Sequence, residues 1–310
     1  MRASCFLMLC LLPVVASCKP PSPPAAPAAL TVVRDLNYAG TEEPRQTLDV
    51  YVPKTPPGKP LPLLVFIHGG GWENGNKDNF GPMIAPLIGD GAFIGASINY
   101  RLTDKGIFPA QIHDCKAAIR WLRAHAKDYG IDKDKIGVFG ISAGGHLVSL
   151  LGTSGDVKEM EGTVGGNLDQ SSRVSCVIDF CGPSNFPTFP GKGSVIDSEK
   201  PGTAVTKLFG GPMSQHMDLA RAASPVTYAT KDDPPFLIIH GTKDNLVPYD
   251  QAVEFNKSLQ DAGVSATLLT GQNGGHVFFS AELVKDLRMF LEKHLLGAGG
   301  DVKAGPVAVQ

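Results

Sequence analysis

The chain has 310 residues, of which 43% are hydrophobic and 19% are charged, and its formal net charge is −2. This length is more than enough for one sizeable core, and the near-neutral charge gives no electrostatic basis for binding nucleic acid. The sequence has no zinc-type spacing of Cys and His and no glycine-rich phosphate loop before a lysine. Nucleic-acid-binding and structural-zinc proteins are therefore excluded as classes.

The N-terminal region has the pattern of an export signal. Arg2 begins a short charged region, and the apolar run 5–15 is too short to span a bilayer. The sequence Val15-Ala16-Ser17-Cys18 resembles a bacterial lipobox, which predicts a signal peptide over 1–17 and a lipidated mature N-terminus at Cys18. An ordinary secretory signal cut nearby is the alternative, and both predict an exported protein. The Pro/Ala-rich segment 18–30 would tether the folded part to the periplasmic or cell-surface side of a membrane.

Strand-like and helix-like runs alternate from about residue 31 to 296, which predicts an α/β fold with a mostly parallel central sheet and helices on both faces. The helix that begins at Pro109 has an apolar stripe with a period of 3.6 residues, formed by Ile112, Cys115, Ile119 and Leu122. The predicted strands are 31–39, 46–52, 61–67, 92–99, 136–140, 174–180, 236–240 and 265–269, the first two antiparallel. The predicted helices are 109–129, 146–151, 248–262 and 281–296.

Two segments depart from this alternation. Residues 182–231 are rich in Gly, Pro and Ser with scattered large apolar residues, which predicts a small cap or lid insertion, a plain surface insertion being the alternative. Residues 297–310 are predicted to form a flexible tail.

The cysteines Cys115, Cys176 and Cys181 are expected to be buried free thiols, and the spacing of the last two predicts that they point to opposite faces of one strand.

The run Gly140-Ile141-Ser142-Ala143-Gly144 follows a strand-like segment and precedes a helix-like one. This is the strand–turn–helix context in which G-x-S-x-G forms a nucleophile elbow, with the serine on a strained turn at the carboxyl end of the sheet. The pattern predicts Ser142 as a nucleophile.

A second glycine motif, His68-Gly69-Gly70-Gly71-Trp72, follows the predicted strand 61–67. Acyl transfer develops negative charge on the substrate carbonyl oxygen, and fixed N–H donors must point at that oxygen. We assign these donors to the backbone of Gly70, Gly71 and Ala143. Trp72 is a candidate wall of the acyl pocket, with a core role as the alternative.

A serine nucleophile needs a base, and the base needs a carboxylate that fixes its tautomer. Asp244 follows the predicted strand 236–240, and His276 follows Gly274-Gly275. The chain order Ser142, Asp244, His276 is that of the α/β-hydrolases.

The other histidines and carboxylates have sequence positions that favour structural roles. His240 ends a predicted strand and could approach the site, but structural packing is the expectation for it. His68 is expected to brace the glycine loop, and His146 to support the site or be exposed. The rival acid Asp233 precedes its strand, at the wrong end of the sheet, and Asp250 lies in the first turn of a helix.

Together these residues resemble an α/β-hydrolase of the esterase/lipase group with an HGGG loop. Further stretches make the chain similar to the bifunctional feruloyl and acetyl-xylan esterases, from about residue 31 to 296. These stretches include Leu48-Asp49-Val50-Tyr51, Asn99-Tyr100-Arg101-Leu102, Phe108-Pro109-Ala110-Gln111-Ile112-His113-Asp114 and Ala223-Ser224-Pro225-Val226-Thr227-Tyr228. The resemblance implies a Ser142, Asp244 and His276 triad, with Gly70, Gly71 and Ala143 as oxyanion donors.

The sequence therefore predicts a serine carboxylesterase that acts on small acyl esters, such as acetyl or feruloyl groups on polysaccharide, through an acyl-enzyme. This chemistry needs no metal and no organic cofactor. Two alternatives stay open: a serine amidase or peptidase-like hydrolase, for example of the arylformamidase type, and a catalytically inactive hydrolase fold used for binding.

Overall fold

A computed structural model describes residues 30–55, 58–189 and 193–309. The predicted signal peptide, Cys18 and almost all of the tether lie outside these ranges. The strands are β1 (Leu30–Asn37), β2 (Thr47–Pro53), β3 (Leu61–Ile67), β4 (Ile94–Ile98), β5 (Ile131–Ile141), β6 (Cys176–Phe180), β7 (Phe236–Gly241), β8 (Ala266–Gly271) and β9 (Gly305–Val307). The α-helices are α1 (Gly81–Ile88), α2 (Ala110–Ala124), α3 (Ala126–Tyr129), α4 (Ala143–Thr153), α5 (Lys158–Glu161), α6 (Ala204–Phe209), α7 (Met217–Ala222), α8 (Asp250–Asp261) and α9 (Ala281–Leu291).

In the described ranges the strands form one sheet in the order β1-β2-β4-β3-β5-β6-β7-β8-β9. The pairs β1/β2 and β2/β4 are antiparallel, and all later pairs are parallel. This is the α/β-hydrolase fold, and the predicted antiparallel leading pair is confirmed. Because the later strands run in one direction, the loops after β3, β5 and β7 leave the sheet at the same edge.

The two faces of the sheet are buried separately. Alternate residues of the central strands, such as Val65 and Val138, face the core under α2, α4 and α8, whereas Phe66 and Phe139 face α1 and α9. The parallel strands β3, β4, β6 and β7 are buried along their whole length, as expected for strands covered on both sides. The predicted stripe on α2 is confirmed, since its four residues have no exposed surface. In the described part of the chain every helix is too short or too polar to cross a bilayer.

The C-terminal segment contradicts one expectation. We predicted a flexible tail over 297–310, but β9 pairs in parallel with Leu269–Gly271 of β8 and buries Val307. The backbone N–H and C=O groups at the free edge of β8 need partners, and a three-residue strand supplies them. A strand of three residues with Pro306 at its centre is too short to show the alternation of apolar and polar residues that predicts a strand from sequence.

The cysteine expectation is confirmed in one respect and wrong in another. Cys115, Cys176 and Cys181 are buried free thiols. However, Cys176 and Cys181 both pack in the core on the α1 and α9 side of the sheet. The strand ends at Phe180 and Cys181 has a φ of 50°, so the two-residue alternation stops before it reaches Cys181.

Candidate active site

Ser142 lies on a sharp turn between β5 and α4, with φ 57° and ψ −120°. Few residues other than glycine adopt such a backbone, and strain of this kind is concentrated at functional sites. The turn requires glycines at its crossing points: a Cβ on Gly140 would lie 2.1 Å from the carbonyl oxygen of Gly144, and one on Gly144 would lie 2.1 Å from that of Ile67. The Ser142 amide donates to the carbonyl of Phe180 (2.8 Å), which fixes the turn against β6.

The structure brings Ser142, His276 and Asp244 together although they are far apart in the chain. Oγ of Ser142 lies 2.8 Å from Nε2 of His276, and Nδ1 of the same ring lies 2.7 Å from Oδ2 of Asp244. Since a carboxylate only accepts hydrogen bonds, Nδ1 carries the proton and Nε2 presents its lone pair to the serine hydroxyl. This is the arrangement of a nucleophile, a general base and an orienting carboxylate.

The carboxylate of Asp244 is completely buried and fully hydrogen-bonded. Its Oδ1 accepts from the backbone amides of Leu246 (2.8 Å) and Val247 (3.0 Å), whereas Oδ2 accepts from His276 and also from Nε2 of His240 at 3.0 Å. Burial opposes ionisation of this group, but the hydrogen bonds from the two histidines outweigh it and hold the pKa of Asp244 well below its usual range. The carboxylate is therefore ionised at neutral pH.

The glycine loop after β3 has the backbone of an oxyanion-binding loop. Gly70 has φ 111° and Gly71 has φ 60°, and the Gly70 carbonyl accepts from the amides of Glu73 and Asn74, which closes a tight turn. Within the described part of the chain, the amides of Gly70 and Gly71 donate to no other group. Both glycines line the same cavity as Ser142 and Ala143, so their N–H groups are free to bind an anionic oxygen.

The buried side chain of His68 supports the glycine loop. His68 stacks on Tyr100 with ring centroids 4.4 Å apart, and its Nδ1 lies 2.8 Å from the Gly69 carbonyl. Burial lowers the pKa of His68 to about 4, against the opposing effect of that hydrogen bond. The expectation that His68 braces the loop agrees with these contacts.

His146, on the first turn of α4, connects three segments of the site. Its Nδ1 accepts from Trp72 Nε1 at 3.2 Å, and its Nε2 donates to the carbonyl of Ala223 at 2.6 Å. Burial lowers the pKa of His146 to about 4, although the bond to Ala223 opposes this shift. Trp72, which is 4% exposed, is thus both a core residue packed against His146 and Phe186 and part of the cavity wall.

A cavity of about 630 Å³ opens beside Ser142 and His276, a size typical of small-molecule sites. One wall is polar and comes from the loop after the glycine run. It contains Glu73, Asn74 and Asn79. A second set of lining residues, which we call the apolar wall, comes from the 182–231 insertion and the loops after β7 and β8, with Phe189, Ile196, Ala204, Val205, Leu246, Val247 and Val277.

The sequence reasoning missed the apolar wall and the contact of His240 with Asp244. Wall residues such as Ile196 and Val205 lie in the irregular insertion, where no periodicity marks a buried face. For His240 the structure bears out the alternative that it approaches the site, since its Nε2 contacts the carboxylate that orients His276. The signal that could have found it is its position four residues before Asp244, at the end of the same strand.

Comparison with known proteins identifies the family of this chain. Residues 48–259, more than half of the chain, match the BD-FAE family model. The chain belongs to the BD-FAE family. It is 30% identical over 248 residues to Esterase LipC of Mycobacterium tuberculosis, and this alignment covers 77% of this chain and 60% of LipC. It is 34% identical over 200 residues to the probable carboxylic ester hydrolase LipM of the same organism, over 64% of this chain and 45% of LipM. The BD-FAE chain thus spans roughly half the length of these curated relatives.

The chain is also similar in sequence and fold to solved structures. A truncated form of a carbohydrate esterase from gut microbiota is 33% identical, with a TM-score of 0.82, over 89% of this chain and 100% of that one. A bifunctional GH43-CE protein of Bacteroides eggerthii is 32% identical, with a TM-score of 0.78, over 85% of this chain and 35% of that one. The fold of the chain is therefore shared with a protein described as a carbohydrate esterase.

Proposed function

We propose that this BD-FAE protein is a serine carboxylesterase that hydrolyses small acyl esters through Ser142, His276 and Asp244. The observation that carries the proposal is the pair of hydrogen bonds, 2.8 and 2.7 Å long, that connects these side chains at the wall of the cavity. The names of its relatives, which are esterases and carboxylic ester hydrolases, support the same chemistry.

In the proposed reaction, Oγ of Ser142 attacks the carbonyl carbon of the ester while Nε2 of His276 takes the hydroxyl proton. The carbonyl electrons move onto the oxygen, which the N–H groups of Gly70, Gly71 and Ala143 stabilise. The ester bond then breaks, and the departing alkoxide receives the proton from His276. Water repeats the sequence on the acyl-enzyme, while ionised Asp244 stabilises the imidazolium in both halves.

We further propose that the substrates are acetyl or feruloyl esters of polysaccharide. The apolar wall suits an acyl group, since it offers no polar side chains, and the polar wall with Glu73, Asn74 and Asn79 suits a hydroxyl-rich alcohol. The structural neighbours that carry carbohydrate-esterase titles support this substrate class.

The test is hydrolysis of p-nitrophenyl acetate, butyrate and octanoate by residues 19–310, with acetylated xylan and methyl ferulate as natural-type substrates. Short-chain activity should fall about a million-fold in Ser142→Ala, because the nucleophile and its base act as a unit. A fluorophosphonate probe should label the wild type and not the variant. Turnover of arylformamides instead of esters would favour an amidase, and a folded protein that neither turns over nor takes the label would contradict the proposal.

A further inference from the structure

A second histidine faces the carboxylate of Asp244. His240 is the fifth residue of β7, and its side chain has no exposed surface. Its Nε2 lies 3.0 Å from Oδ2 of Asp244 and 2.9 Å from the carbonyl oxygen of Val247. The same Oδ2 accepts the hydrogen bond of His276 Nδ1. One carboxylate oxygen therefore lies between two imidazole rings.

The contacts fix the tautomer of His240. Nε2 faces two oxygen acceptors, so an unprotonated Nε2 would direct its lone pair at both of them. Nδ1 is buried and has no partner among the described residues, so a proton there would be an unsatisfied donor. His240 is therefore neutral, with its proton on Nε2 shared between Asp244 and Val247.

We propose that His240 is a positioning residue that sets the basicity of His276 by sharing the Asp244 carboxylate with it. This inference rests on the proposed esterase mechanism. A donor on Oδ2 withdraws charge from that oxygen, and a less negative oxygen stabilises the imidazolium of His276 less. His240 thus draws part of the Asp244 charge away from His276, which makes His276 a weaker base than it would be without this donor.

Other titratable groups surround this cluster. Cys181 Sγ lies 3.9 Å from His276 Nε2, and burial, followed by the charge of Asp244, raises the pKa of its thiol, which keeps it neutral. Asp179 acts on His240 from β6, and burial raises its pKa against hydrogen bonds from Ser149 and Gly182. Tyr249 meets the His240 ring edge-on, with centroids 5.9 Å apart. Cys181, Asp179 and Tyr249 are present in every variant compared, and a glutamine at position 240 restores a donor to Asp244, so it separates the loss of this hydrogen bond from effects on these neighbours.

The test compares the pH profiles of kcat/KM for wild type, His240→Leu and His240→Gln on p-nitrophenyl acetate. Leucine removes the donor to Asp244, so the carboxylate stabilises the imidazolium of His276 more strongly. The acid limb, which is the low-pH part of the profile where kcat/KM rises with pH, should therefore move to higher pH by about half a unit to one unit. The amide nitrogen of glutamine can replace Nε2 and should return the limb toward its wild-type position. The matched control is His146→Leu, because His146 is equally buried but does not contact Asp244; it should leave the acid limb in place.

An unshifted acid limb in a folded His240→Leu variant would overturn the proposal, and so would an equal shift in His240→Gln. A measurement on the unmodified protein covers the case in which leucine prevents folding. ¹⁵N NMR of histidine-labelled protein should show His240 as the neutral Nε2–H tautomer, and an Nδ1–H tautomer would exclude a bond to the carboxylate. This readout does not need esterase activity, so failure of the proposed function is distinguishable from failure of this inference.

Discussion

The two sides of the site differ in their electrostatics: the side that holds the base contains a buried charge, and the side that binds the oxyanion contains backbone N–H groups and neutral side chains. On the base side, His276, Asp244 and His240 form a buried group of side chains around one ionised carboxylate. On the oxyanion side, free backbone N–H groups of Gly70 and Gly71 face the cavity, and the nearby imidazoles of His68 and His146 are held neutral by burial. The difference shows that the base side depends on charge, whereas the oxyanion side depends on backbone shape and on the absence of competing charge.

The largest effect after removal of the nucleophile is expected at the charge of the base side. In Asp244→Asn the backbone contacts can persist, but the amide cannot stabilise the imidazolium or enforce the Nδ1–H tautomer. We expect kcat to fall about ten-thousand-fold, measured with p-nitrophenyl acetate under saturating substrate. A loss smaller than tenfold would show that this side does not depend on the charge.

The shape of the oxyanion side is tested by Gly70→Ala. The new Cβ would lie 2.3 Å from the carbonyl oxygen of Asn74, so the loop must move and carry its N–H groups away from the oxyanion. We expect kcat to fall by about 10² to 10³.

Gly166→Ala is the matched control for this loop substitution. Gly166 also has a positive φ (64°), but a Cβ there meets nothing within 4 Å. The control should lose about 1 kcal/mol of stability from backbone strain and keep its activity. Equal activity losses in the two variants would mean that strain, and not the position of the loop, is responsible.

A smaller effect is expected from the hydrogen bond that connects Trp72 to α4. His146→Leu removes the acceptor for Trp72 Nε1 and the donor to Ala223, so we expect about a tenfold decrease in kcat, the value of one or two hydrogen bonds. His146→Gln can form both bonds and should recover part of this loss. An unchanged kcat in the leucine variant would show that the loop holds its shape without His146.

The neutral imidazoles also predict a pH dependence of stability. In the folded protein His68 and His146 have a pKa of about 4, whereas in the unfolded chain the ordinary value is about 6.5. Between these two values the unfolded chain binds more protons than the folded protein does. The contribution of these histidines to the free energy of unfolding is therefore fully present above pH 6.5, and it decreases as the pH drops toward 4.

Urea unfolding at several pH values between 7 and 4.5 measures this slope. The His146→Leu variant lacks one of the two groups and should show a shallower pH dependence by about one proton. Identical slopes in wild type and variant would mean that His146 is not held neutral by burial.

The sequence alone determined the α/β-hydrolase fold, the antiparallel leading pair and the central strands, because periodicity and short motifs are local properties of the chain. It also named Ser142, Asp244 and His276, since strand–loop patterns recur in a known order. Whether these three meet was decided by the parallel sheet, which brings the loops after β5, β7 and β8 to one edge.

Only the tertiary structure decided what surrounds those residues. The apolar wall comes from irregular insertion residues, such as Ile196 and Val205, that show no sequence period. The role of His240 depends on the 3.0 Å distance from its Nε2 to Asp244, and the pairing of β9 depends on the unfilled edge of β8. These features result from long-range packing and from the need to satisfy buried polar groups, which no local stretch of sequence encodes.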